Sequence, residues 1–141
     1  MFGYRSFLVI GSGTAADILS LIKGGYEILN CVSSIEQGID DRGKATTRVH
    51  GGTFDITLSQ LPPKPIVEWA LDSRKYLDGA IITVDAENVP IKKTLFENAT
   101  CTALDINYMQ QGSGYIATKM IIQAEIVNYG YGISLDNEWA S

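Results

Sequence analysis

The amino-acid sequence predicts a mainly β protein: a small antiparallel barrel or sandwich with one flanking α-helix. Roughly six to eight segments have β character, and short turns between them favour antiparallel pairing. One stretch alone has the apolar spacing of a main helix. Because 141 residues suffice for one core, we expect a single domain over residues 1–141.

The N-terminal part predicts two strands, at residues 4–10 and 26–34. Glycines at 11–13 end the first strand. Residues 15–22 have an apolar side typical of a short helix, which Gly24 and Gly25 end. We therefore expect an extra short helix near the N-terminus.

The middle of the chain predicts a loop, a strand and the main helix. Residues 36–47 combine turn formers with mixed charge and predict a long exposed loop, a length often tied to function. Residues 53–58 alternate apolar and polar side chains, as a half-buried strand does. The apolar spacing of Ile66, Trp69 and Ala70 predicts a helix over residues 65–76.

The C-terminal half has almost continuous β character. The predicted strands are 80–85, 92–98, 100–109 and 115–127, the last being the longest. Residues 110–114 predict a hairpin loop, and the polar tail 136–139 carries one large aromatic residue.

Charge and hydropathy argue against two classes of partner. The net charge is −5, and an acidic chain repels nucleic acid and anionic membranes. The apolar run at residues 7–10 is too short for a signal peptide or a membrane span. We expect a cytoplasmic protein without membrane insertion.

No catalytic or metal constellation is evident. His50 is the single histidine, and no Gly-x-Ser-x-Gly nucleophile motif occurs. Cys31 and Cys101 predict two buried, reduced thiols, although their spacing also permits a disulfide. Without a CxxC motif or a Cys/His cluster, we expect no metal and no enzymatic activity.

One motif resembles a cofactor site. Residues 9–16, Val-Ile-Gly-Ser-Gly-Thr-Ala-Ala, match the turn that binds dinucleotides. That function needs a parallel βαβ unit and an acidic residue about 20 positions on. The second strand instead ends in Ser33 and Ser34, with Glu36 just beyond. We expect a simple glycine turn and no cofactor.

A series of motifs follows in a fixed order through most of the chain. The strongest are Leu-Phe-Glu-Asn-Ala at residues 95–99 and the combination of Gly51 and Gly52 with the helix residue Trp69. The others are Asp41-Arg42-Gly43-Lys44, Asp78-Gly79-Ala80, Ala124-Glu125-Ile126 and Asn137-Glu138-Trp139. Together they resemble the Hcp-type tube proteins of type VI secretion, in the branch found in Bacteroidetes, over about residues 26–139.

The resemblance implies a barrel-like subunit of the secretion tube, with a flanking helix and no catalytic role. It implies homo-hexameric rings that stack around a wide channel and carry effector proteins. The implied partners are a contractile sheath, a spike protein and the effectors, with export by the secretion apparatus without a signal peptide. Residues 11–25 are longer than the turn that the family has between its first two strands.

The resemblance also suggests where rings touch. We expect ring-stacking contacts from the loop 36–47 and the tail 136–139. The candidate residues are Asp41, Arg42, Lys44, Asn137, Glu138 and Trp139. Arg42 and Lys44 would pair with acidic groups of the next ring.

An alternative function stays open. A small β-barrel can also bind a ligand such as a glycan or a lipid. The seven tyrosines suit carbohydrate stacking and protein interfaces equally. A ligand-binding barrel would be a monomer with a lined cavity.

Overall fold

A computed structural model describes residues 3–11, 25–39, 45–109, 115–130 and 133–137. Within them lie seven strands and one helix. In chain order these are β1 (Arg5–Ile10), β2 (Tyr26–Ile39), β3 (Ala45–Leu58), α1 (Lys64–Leu71), β4 (Leu77–Val84), β5 (Pro90–Met109), β6 (Tyr115–Gly130) and β7 (Ile133–Asp136).

The sheet closes on itself. Its strand order is β3-β2-β1-β4-β5-β6-β7, and β3 also pairs with β6. The closing pairs run from Thr53 opposite Gln123 to Leu58 opposite Thr118. Six antiparallel strands therefore form a barrel, and closure removes the free edges of the outer strands along this stretch. The predicted antiparallel barrel is confirmed.

The core fills the barrel with side chains from alternate strand positions. Phe54, Ile56 and Leu58 of β3 are each at most 1% exposed, which confirms the alternation predicted there. The rings of Phe54 and Phe96 meet with their centroids 6.0 Å apart. Contacts of this kind across the barrel join strands that lie far apart in the chain.

Helix α1 covers one end of the barrel. Ile66 and Trp69 are fully buried in the core cluster. The Trp69 indole N–H donates to the carbonyl oxygens of Lys75 at 3.2 Å and Ala99 at 3.1 Å. One side chain thus ties the helix to the segment that follows it and to β5.

The helix is shorter than the 65–76 predicted, because it ends at Leu71. Asp72 adopts an extended conformation, and its carboxylate accepts a hydrogen bond from the Arg74 N–H at 3.0 Å. An aspartate side chain competes in this way with helical hydrogen bonding. The turn that results brings Lys75 back to the Trp69 indole.

Strand β5 corrects the prediction of two strands at 92–98 and 100–109. It is one strand of 20 residues, longer than β6 with 16. Asn98 adopts a left-handed conformation, with φ of 55°, inside the strand. Its backbone N–H bonds to the Asp78 carboxylate at 2.9 Å and its side-chain amide to Glu125 at 3.0 Å. These hydrogen bonds hold Asn98 within the strand, although its left-handed conformation is more typical of the end of a strand.

The predicted loop at 36–47 is wrong at both of its ends, and residues 40–44 lie outside the described residues. Strand β2 continues to Ile39 and β3 begins at Ala45, with Glu36 opposite His50 in the ladder. The sequence of this segment lacks the apolar alternation by which a strand is recognised. Strand β7 was not predicted, and the helix predicted at 15–22 lies outside the described residues.

We expect Trp69→Phe to lower the free energy of unfolding by about 1–3 kcal/mol, because one buried and one partly buried carbonyl group lose their donor. Urea unfolding followed by circular dichroism measures the change. The control Leu71→Ala removes a helix side chain that is 82% exposed and should change stability by less than about 0.5 kcal/mol. Equal losses in the two variants would contradict the role assigned to the indole.

Candidate assembly surfaces

Two long hairpins extend from opposite ends of the barrel. Strands β3 and β6 run antiparallel, so the start of β3 and the start of β6 lie at opposite ends. The β2–β3 hairpin projects from the first end and the β5–β6 hairpin from the second. Helix α1 lies at the second end, since it joins the end of β3 to the start of β4. The two ends of the subunit therefore present different surfaces.

The β5–β6 hairpin has an exposed apolar face, formed by Ile106, Tyr108 and Ile116. Tyr108 lies directly opposite Ile116 and is 67% exposed, whereas the two isoleucines are about two-fifths exposed. The pair Leu104 and Met120 precedes them on the same side and belongs to the core. The apolar interior thus continues past the barrel wall, and contiguous exposed apolar surface commonly marks a protein contact.

Sequence reasoning missed this face. The alternation of Leu104, Ile106 and Tyr108 was visible and predicted a strand side. The alternation could not show that β5 and β6 extend beyond the strands next to them. In the structure, β4 pairs with β5 only as far as Ala99, and β3 pairs with β6 only as far as Thr118.

Asn137 joins the end of the described chain to the barrel. Its side-chain amide donates to the carbonyl oxygens of Gly51, Ala124 and Glu125 at 3.0, 3.1 and 3.2 Å. Its backbone N–H donates to the Glu125 oxygen at 2.9 Å. Strand β7 therefore lies end to end with β3 along the same edge of β6. Asn137, which directly follows β7, bonds to both β3 and β6 at the junction.

Gly52 makes this junction possible. Its φ is +83°, a left-handed conformation that side chains disfavour. A Cβ atom there would collide with the Ala124 carbonyl oxygen. The glycine lets β3 approach β6 where the Asn137 amide needs its acceptors.

The predicted stacking residues are only partly visible. Asn137 uses its amide within the subunit, and its ring contact stays a prediction. Asp41, Arg42, Lys44, Glu138 and Trp139 lie outside the described residues. The structure does bring the predicted segments 36–47 and 136–139 close to each other in one respect. Asn137 bonds to Gly51, which lies where the β2–β3 hairpin leaves the barrel.

The geometry of β1 and β2 excludes the dinucleotide interpretation. The two strands pair antiparallel, from Ser6 opposite Ile28 to Leu8 opposite Tyr26. A dinucleotide-binding turn needs parallel strands joined by a crossover helix. Gly11 ends β1 with φ of 111°, as expected for a glycine turn.

Both cysteines are free thiols; Cys101 is buried, as predicted, whereas Cys31 is only half-buried. Burial raises the pKa of Cys31, and the nearby Asp55 carboxylate raises it further. Burial also raises the pKa of Cys101, although a hydrogen bond with the Ala103 backbone acts in the opposite direction. Both groups are protonated at neutral pH and hence poor nucleophiles.

Two features are absent from the described part of the chain. No group of three or more His, Cys, Asp or Glu residues there is arranged to hold a metal ion. That part also has no helix long and apolar enough to cross a membrane. The side chain of His50 lies outside the description.

Comparison with known proteins gives one family. The model of the family described as hemolysin coregulated protein Hcp (TssD) matches residues 5–140. The structure of Hcp1 from Flavobacterium johnsoniae aligns with a TM-score of 0.76 at 20% identity, covering 94% of this chain and 98% of that one. Hcp1 from Salmonella typhimurium aligns with a TM-score of 0.67 at 16% identity, covering 94% and 91%. Hcp1 from E. coli EAEC 042 gives 0.69 at 14%, covering 92% and 95%. No curated protein sequence matches the chain.

We expect Gly52→Ala to destabilise the protein by more than the 1–2 kcal/mol that a left-handed alanine costs, roughly 2–4 kcal/mol in total, because the Cβ also meets the Ala124 carbonyl. The matched control is Gly130→Ala, with φ of +84° and the nearest atom, the Lys93 carbonyl oxygen, 3.7 Å from the added Cβ. Chemical denaturation of both variants separates steric overlap from backbone strain. Equal destabilisation would show that the close approach at Gly52 is unimportant.

Proposed function

Because the chain belongs to the hemolysin coregulated protein (Hcp, TssD) family, we propose that it is a structural subunit of the inner tube of a type VI secretion system. The family match over residues 5–140 is the observation that carries this proposal. The closed barrel with one helix at its end supports it, because solved Hcp structures share that fold. The protein acts as an assembly element and not as an enzyme.

The subunit forms homo-hexameric rings. A closed ring uses two different patches of each subunit, one on each side of the rotation. Barrel closure pairs both edges of β3 and β6 along the closing ladder, so lateral contacts come from faces and from the projecting hairpins. The exposed face formed by Ile106, Tyr108 and Ile116 is our candidate for one of these patches.

The rings stack head to tail. The two ends of the subunit differ, and this difference favours head-to-tail stacking. The β2–β3 hairpin of one ring then meets the α1 end of the next ring. The tip residues Asp41, Arg42 and Lys44 make these contacts, and Asn137, Glu138 and Trp139 join them from the tail. Arg42 and Lys44 pair with acidic groups across the interface.

The assembled tube works within the secretion apparatus. Its channel carries effector proteins, a contractile sheath surrounds it and a spike protein completes its tip. The subunit folds in the cytoplasm as one domain, and the apparatus exports it without a signal peptide.

Native mass spectrometry and negative-stain imaging of the purified protein test ring formation. We expect ring particles with about six times the subunit mass of 15.4 kDa. Tyr108→Glu should shift the distribution to monomers without lowering the melting temperature, because it places a charge in an apolar contact. Tyr108→Phe preserves the apolar ring and should retain the particles. A wild-type monomer at every concentration tested would overturn the proposal.

Charge reversal tests stacking separately from ring closure. In conditions where the wild type forms tubes, Arg42→Glu combined with Lys44→Glu should shorten them at least several-fold and leave single rings, because attraction across the interface becomes repulsion. The control, Arg42→Lys with Lys44→Arg, keeps both charges. Electron microscopy gives the tube lengths. Tubes of unchanged length in the reversed variant would place the stacking contacts elsewhere.

A further inference from the structure

The β2–β3 hairpin leaves the barrel at an irregular point of its ladder. The register shifts there, so that one residue of β2, Ile35, faces two residues of β3, Gly51 and Gly52. We call these three residues the hairpin base. Two consecutive glycines leave the backbone free to change direction, and an irregularity of this kind bends a strand. The ladder itself therefore does not fix the direction in which the hairpin projects.

Neighbouring strands do not support the hairpin beyond its base. Strand β1 pairs with β2 only as far as Ile28, and β6 pairs with β3 only as far as Thr53. Both outer edges of the hairpin thus lie next to no described strand. From the hairpin base to Ile39, the last paired residue of β2, the hairpin extends about 14 Å. A tilt of about 15° at the base would move Ile39 by about 3.5 Å, which is enough to break a hydrogen bond or an ion pair.

Asn137 connects the hairpin base to the barrel. Its side-chain amide donates to the Gly51 carbonyl oxygen at 3.0 Å and to the Ala124 carbonyl oxygen of β6 at 3.1 Å. The backbone N–H of Asn137 bonds to the Glu125 oxygen at 2.9 Å, which fixes the position of the amide on β6. These side-chain contacts are partly buried, where water competes less for the donor. One side chain thus holds the flexible part of β3 against a strand of the closed barrel.

We propose that Asn137 is a positioning residue: it fixes the angle at which the β2–β3 hairpin leaves the barrel and thereby controls ring stacking. The second part rests on the proposed function, in which this hairpin meets the next ring. Stacked rings need the hairpins of all their subunits at the same angle. This role is separate from the ring contact predicted for Asn137, because the amide acts within its own subunit.

Hydrogen–deuterium exchange of the full-length protein tests the positioning role whether or not rings stack. Asn137→Ala removes the side-chain amide and keeps the backbone hydrogen bond to Glu125. Amides in residues 34–37 and 49–52 should exchange at least about tenfold faster, because pairs next to a mobile point open more often. Residues 118–122 of the closing ladder should exchange at the wild-type rate.

Asn128→Ala is the matched control. The Asn128 side chain accepts a hydrogen bond from the Gly130 N–H at 2.9 Å, so this variant also removes a bond between an asparagine side chain and the backbone. That bond lies within the end of β6. Exchange in residues 34–37 and 49–52 should therefore stay at the wild-type rate.

Electron microscopy tests the effect on stacking. In conditions where the wild type forms tubes, Asn137→Ala should shorten them several-fold, while native mass spectrometry still finds single rings. Gly130→Ala places a side chain at a left-handed residue near β7, so it loses stability at the same end of the barrel. Its tubes should keep the wild-type length, which separates hairpin position from a general loss of stability.

Three results would overturn the proposal. These are unchanged exchange at the hairpin base in Asn137→Ala, equal acceleration throughout the barrel, or tubes of normal length despite faster exchange. Equal shortening by Gly130→Ala would assign the effect to stability instead. A wild type that never forms rings would refute the proposed function, and the exchange experiment would still decide whether Asn137 holds the hairpin.

Discussion

The pairing of β3 with β6 is the constraint on which the rest of the structure depends. Without the ladder from Thr53 to Leu58 opposite Thr118 to Gln123, the sheet would be an open ribbon with an apolar face in water. Closure turns that face into a core and gives the barrel two ends. Helix α1 covers one end through Ile66 and Trp69.

Closure also requires irregular strands. In β5 the inward side is formed by Phe96, then by Ala99 and Cys101, and then by Leu104, so the facing parity changes twice. The left-handed Asn98 accompanies the first change and a register shift at residue 102 the second. Bulges of this kind increase twist and bend a strand around a barrel. They let one long strand serve both the wall and the projecting hairpin.

The sequence predicted the structure well wherever a strand or helix buries only one of its sides. The alternation in residues 53–58 and the spacing of Ile66 and Trp69 follow from contact with one core, and both predictions were correct. The ends of the segment 36–47 were predicted as loop because their sequence has no apolar period, although β2 and β3 extend into them. The division of β5 failed because the bonds that hold Asn98 come from Asp78 and Glu125, which are distant in sequence. The ordered motifs supplied the family where periodicity could give only a β domain.

The same closing ladder has a consequence during protein synthesis. Strand β3 emerges from the ribosome long before β6, so one of its edges waits unpaired while the intervening strands are made. Such an edge can template pairing with another chain. Asp55 and its threonine neighbours Thr53 and Thr57 point away from the core along this strand, and a charge there discourages association between nascent chains. The order of the strands therefore makes late closure the step at which folding competes with aggregation.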